Sequence, residues 1–182
     1  MKHAVIDLAA AADGEMVRVV GLVRREEGEE ALVAPLTGRP CVYYQVVVRT
    51  LRRHAVEVTT DAGAVTFRIV DATGAAVIET TNVEWTVEAD HEAIVEAGAT
   101  PDEAQQAFLR RHVEVQARGD ELRFFESIVE LGAMVSVVGT GEREVDPMPE
   151  LETPYRGLTP TRMRFRGAED APVQIRRDLA EP

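Results

Sequence analysis

The sequence predicts a mainly β fold, a small barrel elaborated by one amphipathic helix. Three observations lead there. Short β-branched runs recur along the chain, Gly-containing and Asx-type turns separate them, and one segment alone carries helical spacing.

The elements follow in order. "MVRVVGLV" (16–23) is β-branched and runs into the acidic turn "REEGEE". "PLTGRPCVYYQVVV" (35–48) reads as a turn feeding a strand. Gly38 can take positive φ there, and Pro40 pre-sets extended backbone. Strict alternation from Cys41 puts Val42, Tyr44, Val46 and Val48 on an apolar face, with Cys41, Tyr43, Gln45 and Val47 opposite. "VTFRIV", "DATG" and "AAVIE" make a hairpin with Phe67 and Ile69 inward. "VEWTVE" (83–88) is a half-buried strand, and "ADHEA" (89–93) reads as a solvated loop. Thr100, Pro101 and Glu103 form a helix-start signature, and Ala104, Phe108, Leu109 and Val115 carry helical spacing over about 101–117. That helix is expected to cap an open barrel end with Phe108. "LRFFESIVE" (122–130), "MVSVVGTGERE" (134–144), "TRMRFRG" and "PVQIRR" supply the closing strands, interrupted by the proline-rich 146–160. "MVRVVG" (16–21) and "MVSVVG" (134–139) differ at one position; both read as strands whose final glycine permits a bend. The expected core is Leu36, Val42, Tyr44, Val46, Phe67, Ile69, Trp85, Val135 and Val137, converging on one interior.

Composition narrows the function classes. The chain has 182 residues, 45% hydrophobic and 29% charged, with a formal net charge of −12. An acidic surface repels phosphate, so nucleic acid is disfavoured as a partner. The local exception is the arginine patch Arg156, Arg162, Arg164, Arg166, Arg176 and Arg177, which leaves peripheral membrane association open. The single cysteine is incompatible with an intramolecular disulfide or a multi-cysteine zinc site and fits a reducing, cytoplasmic compartment. No apolar run reaches the roughly 20 residues of a membrane-spanning helix. The opening apolar run is short and follows no signal-peptide pattern.

Candidate chemistry is sparse. Cys41 has only Arg39 nearby to lower its thiol pKa, and a packing role is the expectation. His3, His54, His91 and His112 have no metal-ligand spacing, so no metal and no cofactor are expected. "GTG" at 139–141 lacks the third glycine and following helix of a dinucleotide loop. Arg39 and Tyr43 are candidates for a binding surface, since Tyr43 shares a face with Gln45. An enzyme would need a site assembled from distant residues such as Asp71, His91 or Glu126.

Taken together, the "VxVxGxV" strand, "PLTGRPCVYYQVVV", "FRIVDATGAAVI", "ESIVELGAMVSVVGT" and "PVQIRR" resemble the GIDE-type domain, also called BAM (beside-a-membrane). That domain occurs in mitochondrial membrane-anchored E3 ubiquitin ligases and in prokaryotic homologues. The resemblance covers about residues 14–178. It rests chiefly on Pro35, Leu36, Gly38, Cys41, Tyr43 and Tyr44, with Gly74 and Gly139 in the later segments. In those ligases ubiquitin transfer belongs to a zinc-binding RING domain, which one cysteine cannot build. The resemblance therefore implies a single-domain, non-catalytic scaffold or binding module on a small OB-like β-barrel. Its expected partner is a protein or a small ligand, with no catalytic residue of its own.

Overall fold

The computed structural model describes residues 4–51, 55–112, 119–147, 149 and 159–177. In chain order the strands are β1 (Met16–Arg25), β2 (Leu32–Val33), β3 (Pro40–Leu51), β4 (Ala55–Ala64), β5 (Phe67–Val70), β6 (Ala75–Ile78), β7 (Val83–Thr86) and β8 (His91–Val95). Helix α1 (Glu103–Arg111) precedes β9 (Leu122–Glu130), β10 (Met134–Val145), β11 (Thr161–Phe165) and β12 (Val173–Arg177). These elements fall into two compact units. One comprises residues 1–30, 65–86 and 131–182, and the other residues 31–64 and 87–130.

The first unit is a closed five-stranded barrel. Its ring runs β1–β5–β6–β11–β10 and returns to β1, with β6 and β11 parallel and every other pair antiparallel. Strands β12 and β7 extend the sheet from β10. Closure depends on two strands that change partners along their length. Residues 134–140 of β10 pair with β1, and residues 141–145 pair with β11. Residues 16–22 of β1 pair with β10, and residues 22–25 with β5. Glycines sit at both changeovers. A Cβ on Gly21 would stand 3.0 Å from both the Ile69 Cβ and the Val70 carbonyl oxygen, and one on Gly139 would stand 3.1 Å from Val173 Cγ2. Only a bare backbone lets the next strand approach this closely. The two similar hexapeptides pair with each other, Val19 opposite Val137. Their one differing position is itself joined, because Arg18 Nε donates to Ser136 Oγ at 2.9 Å.

Alternation fills the barrel with Val17, Val19, Val23, Phe67, Ile69, Ala76, Ile78, Val135, Val137, Met163 and Phe165, all buried. Trp85 is half-buried on the outlying β7, its ring centroid 6.1 Å from that of Phe67.

In the second unit β3 lies between β9 on one side and β2 and β4 on the other, and β8 pairs with β9. Helix α1 starts two residues later than Thr100 and Pro101 suggest. Asp102 is the N-cap: its carboxylate accepts the Gln105 amide at 2.8 Å, while the Gln105 side chain accepts the Asp102 amide at 2.9 Å. This reciprocal pair satisfies two amides that the helix leaves free. Phe108 is fully buried as expected, but against Val46, Val48, Val95, Leu122 and Phe124 of this sheet. The helix therefore belongs to the second unit, and its Phe108 fills that unit's core instead of the barrel's. The expected single interior is likewise two, with Leu36, Val42, Tyr44 and Val46 in one unit and the remaining predicted core residues in the other. Val115 lies outside the described residues, as do most of 146–160. Strands β2, β4 and β8 have no counterpart in the sequence reading. His91, expected in a loop, begins β8.

Candidate functional site

The proline- and glycine-rich turn before Cys41 is clamped from across the sheet. Glu126 points from β9 and is wholly buried. Its carboxylate accepts the Leu36 amide at 2.7 Å, the Thr37 amide at 3.2 Å and the Thr37 hydroxyl at 2.5 Å. Gly38, at φ +69°, completes the turn by donating to the Ala34 carbonyl at 2.9 Å. Arg39 is committed as well, bonded to Asp90 at 3.0 Å and lying 3.5 Å from Glu130. Pro35 and Leu36 are half-buried in this clamp.

A bulge then rearranges the faces expected from alternation. Cys41 opposes Glu130 and Tyr43 opposes Val129, so Val42 is an extra residue in β3. The slip moves Cys41 to the side of Tyr44, where it packs with Ala34 and Ile128. Burial, aided by Glu126 and Glu130 and opposed by Arg39, pushes the Cys41 thiol up to about 11. Such a thiol stays protonated at neutral pH and is a poor nucleophile. Tyr43, expected as a binding surface, is only 5% exposed, and burial raises its pKa. Tyr44 is half-buried and donates to Asp61 at 3.3 Å, with His112 of the helix end 3.5 Å from the same carboxylate oxygen. The Tyr44 ring lies over Gly63, where a Cβ would come within 2.7 Å of it.

Of the residues offered for an assembled catalytic site, His91 and Glu126 are register partners in the second unit, and Asp71 belongs to the first. The Asp71 carboxylate closes the "DATG" turn by accepting the Thr73 amide, the Thr73 hydroxyl and the Gly74 amide at 2.7–2.8 Å. Glu126 sits opposite His91 in the strand register, yet its oxygens are turned to Leu36 and Thr37. The arginine patch is also largely spent. Arg166 and Arg164 both bind Glu79, Arg164 and Arg162 both bind Glu144, and Arg162 reaches Glu26 at 2.7 Å. Hydrogen bonds from Arg166 and then Arg164, working against partial burial, push Glu79 down to about 2. Arg68 pairs with Asp146 in the interior of the same network. Arg156 lies outside the described residues. Among the described residues no group of His, Cys, Asp and Glu could hold a metal ion. No helix among them is long and apolar enough to cross a membrane.

The first unit carries a cleft that is a candidate ligand site. It has a volume of about 470 Å³ and lies between the 3₁₀ turn Leu8–Ala10, the β5–β6 turn and the facing ends of β10 and β11. Leu8, Val70, Ala75 and Pro160 supply its apolar wall, and Arg143 and Thr161 its polar one. The size suits a small ligand or a few residues of peptide. Asp71 borders it and accepts the Leu8 amide at 2.8 Å. Burial would raise the Asp71 pKa, but the bonds from Leu8, Thr73 and Gly74 outweigh it and hold the pKa below the ordinary aspartate value. Gly74 belongs to this turn and Gly139 to the barrel wall, whereas the other family-motif residues lie in the second unit. The sequence reading missed the cleft because its floor comes from residues 8–9, an alanine-rich stretch with no chemical signature. The available signal was the aspartate of "DATG", a turn residue whose second carboxylate oxygen can bind another chain segment.

Comparisons with protein families, with curated proteins and with solved structures find no match to this chain.

Proposed function

We propose that the protein is a non-catalytic binding module whose OB-like barrel takes a protein segment or small ligand in the cleft beside Leu8. The single observation that carries this reading is the cleft itself, a concave site with an apolar wall and convergent polar groups. Its chemistry favours recognition over catalysis. Asp71 is saturated by hydrogen bonds and Asp146 is paired with Arg68, which leaves neither poised to exchange a proton. The resemblance to GIDE-type domains supports the same class, as does the strand order with its one parallel closure. Nucleic acid and anionic membrane are disfavoured by the net charge of −12 and by the acids already paired with Arg162, Arg164 and Arg166. A cytoplasmic location suits the protonated, unpaired Cys41.

The test is a plug in the cleft. Thr161→Phe should abolish saturable binding of ligands recovered with the wild-type protein, while leaving its melting temperature within a few degrees. Binding that survives the plug would move the site elsewhere. Chemical conversion of a recovered ligand would mean that the module is an enzyme.

A further inference from the structure

Residues 4–14 cross the barrel as a strap, and the way they are held resembles a receptor holding a peptide. Ile6 donates its amide to the Arg18 carbonyl at 3.0 Å, on the stretch of β1 that β5 does not cover. The Leu8 amide goes to Asp71 and the Ala9 amide to the Thr73 hydroxyl, at 2.8 and 3.1 Å. Arg143 donates to the Ala9 and Ala11 carbonyls at 3.4 and 2.6 Å. Barrel side chains therefore read the strap's main chain, acceptors first and a donor after. The strap contributes one large buried side chain, Leu8 at 1% exposure, and one small one, Ala11 at 2%. Main-chain bonds that tolerate any sequence, combined with a single anchoring pocket, are the usual means of recognising an extended segment. The strap ends at Gly14, at φ +75°, with no atom within 4 Å of where a Cβ would stand. The Gly14 amide donates to the Gly141 carbonyl at 2.9 Å, and Asp13 accepts the Arg143 amide, so this end of the strap is tied to β10. Leu8 and Ala9 of the strap also line the cleft, which reaches past Arg143 to Thr161.

We infer that this groove is a peptide-recognition site occupied in cis by residues 5–11. In trans it takes a partner's extended segment of the form Leu-x-x-small, in competition with the strap. This rests on the reading that the cleft is the binding site. It adds what the ligand is and how access is controlled. The leucine replaces Leu8, the small residue replaces Ala11, and the partner's next residues run into the cleft toward Thr161.

A fluorescent peptide with the sequence of residues 4–13 is the probe, titrated by anisotropy against the full chain. Leu8→Asp in the protein weakens the strap in cis, so the peptide should bind this variant roughly ten-fold or more tightly than it binds the wild type. The same peptide carrying Leu8→Asp should bind neither. Absence of saturable binding to a folded Leu8→Asp chain, or equal binding of both peptides, overturns the inference. Hydrogen exchange on the wild type covers the case in which that variant misfolds. Excess peptide should strip protection from the Leu8 and Ala9 amides, and unchanged protection at saturating peptide refutes the exchange. A wild-type dimer dissociated by the peptide would make the occupant a second copy and overturn the commitment to a partner. If the peptide fails while Thr161→Phe still blocks a recovered ligand, only the strap inference falls.

Discussion

Glu126→Gln tests the clamp on the turn that precedes Cys41. The carboxylate receives three donors, two amides and one hydroxyl, at full burial. Hydrogen bonds to a charged group contribute about 1.5–3 kcal/mol each. Glutamine preserves the shape and one acceptor oxygen, which can keep the Leu36 amide. Its NH₂ must then face the Thr37 amide and hydroxyl, donor against donor for the amide. One charge-assisted bond is lost and another weakened, so the expected cost is about 2–3 kcal/mol. Glu126→Ala removes all three bonds and leaves a cavity, and should cost about 4 kcal/mol or more. Thr37→Val removes the hydroxyl alone and should cost about 1.5 kcal/mol. Urea unfolding is the assay, followed by far-UV circular dichroism of both sheets, with Trp85 fluorescence reporting the first unit separately. In the double variant Thr37→Val/Glu126→Gln the two losses should fall short of additive, because both residues share one bond. A Glu126→Gln loss below about 0.5 kcal/mol, or additive losses, would refute the clamp.

Three further outcomes are expected. The Cys41 thiol, raised to about 11, should react with a neutral disulfide reagent slowly in the native protein and quickly only in denaturant; Cys41→Ser should cost about 1–2 kcal/mol for the buried hydroxyl. Gly21→Ala should destabilise the barrel by about 1–3 kcal/mol in thermal melts, because the new Cβ meets backbone that cannot move aside. Asp71 has a folded pKa below its ordinary 3.8, so its contribution is complete above that pH and is lost as the pH falls through the folded value. Protection of the Leu8 amide should disappear over that acid range in the wild type and be absent at neutral pH in Asp71→Ala.

Much of the local structure was written in the sequence. Period-2 alternation placed Phe67, Ile69, Val135 and Val137 inward, and "DATG" announced its turn, because both signals depend only on neighbours along the chain. The helix was legible from the spacing of Ala104, Phe108 and Leu109, although Asp102 took the cap from Thr100 because its carboxylate reaches the Gln105 amide. Tertiary structure decided the rest. A single extra residue at Val42 moved Cys41 to the face of Tyr44, and no local pattern reveals a bulge that is set by the register against β9. Which core received Phe108 depended on the return of β9 beside β3, a pairing of residues about 80 apart in sequence. The arginines looked like a free patch because their acids, Glu26, Glu79 and Glu144, arrive from elsewhere in the chain. The cleft depended on tertiary structure most of all. Leu8, Asp71 and Arg143 are unremarkable apart, and barrel closure alone sets them around one strap.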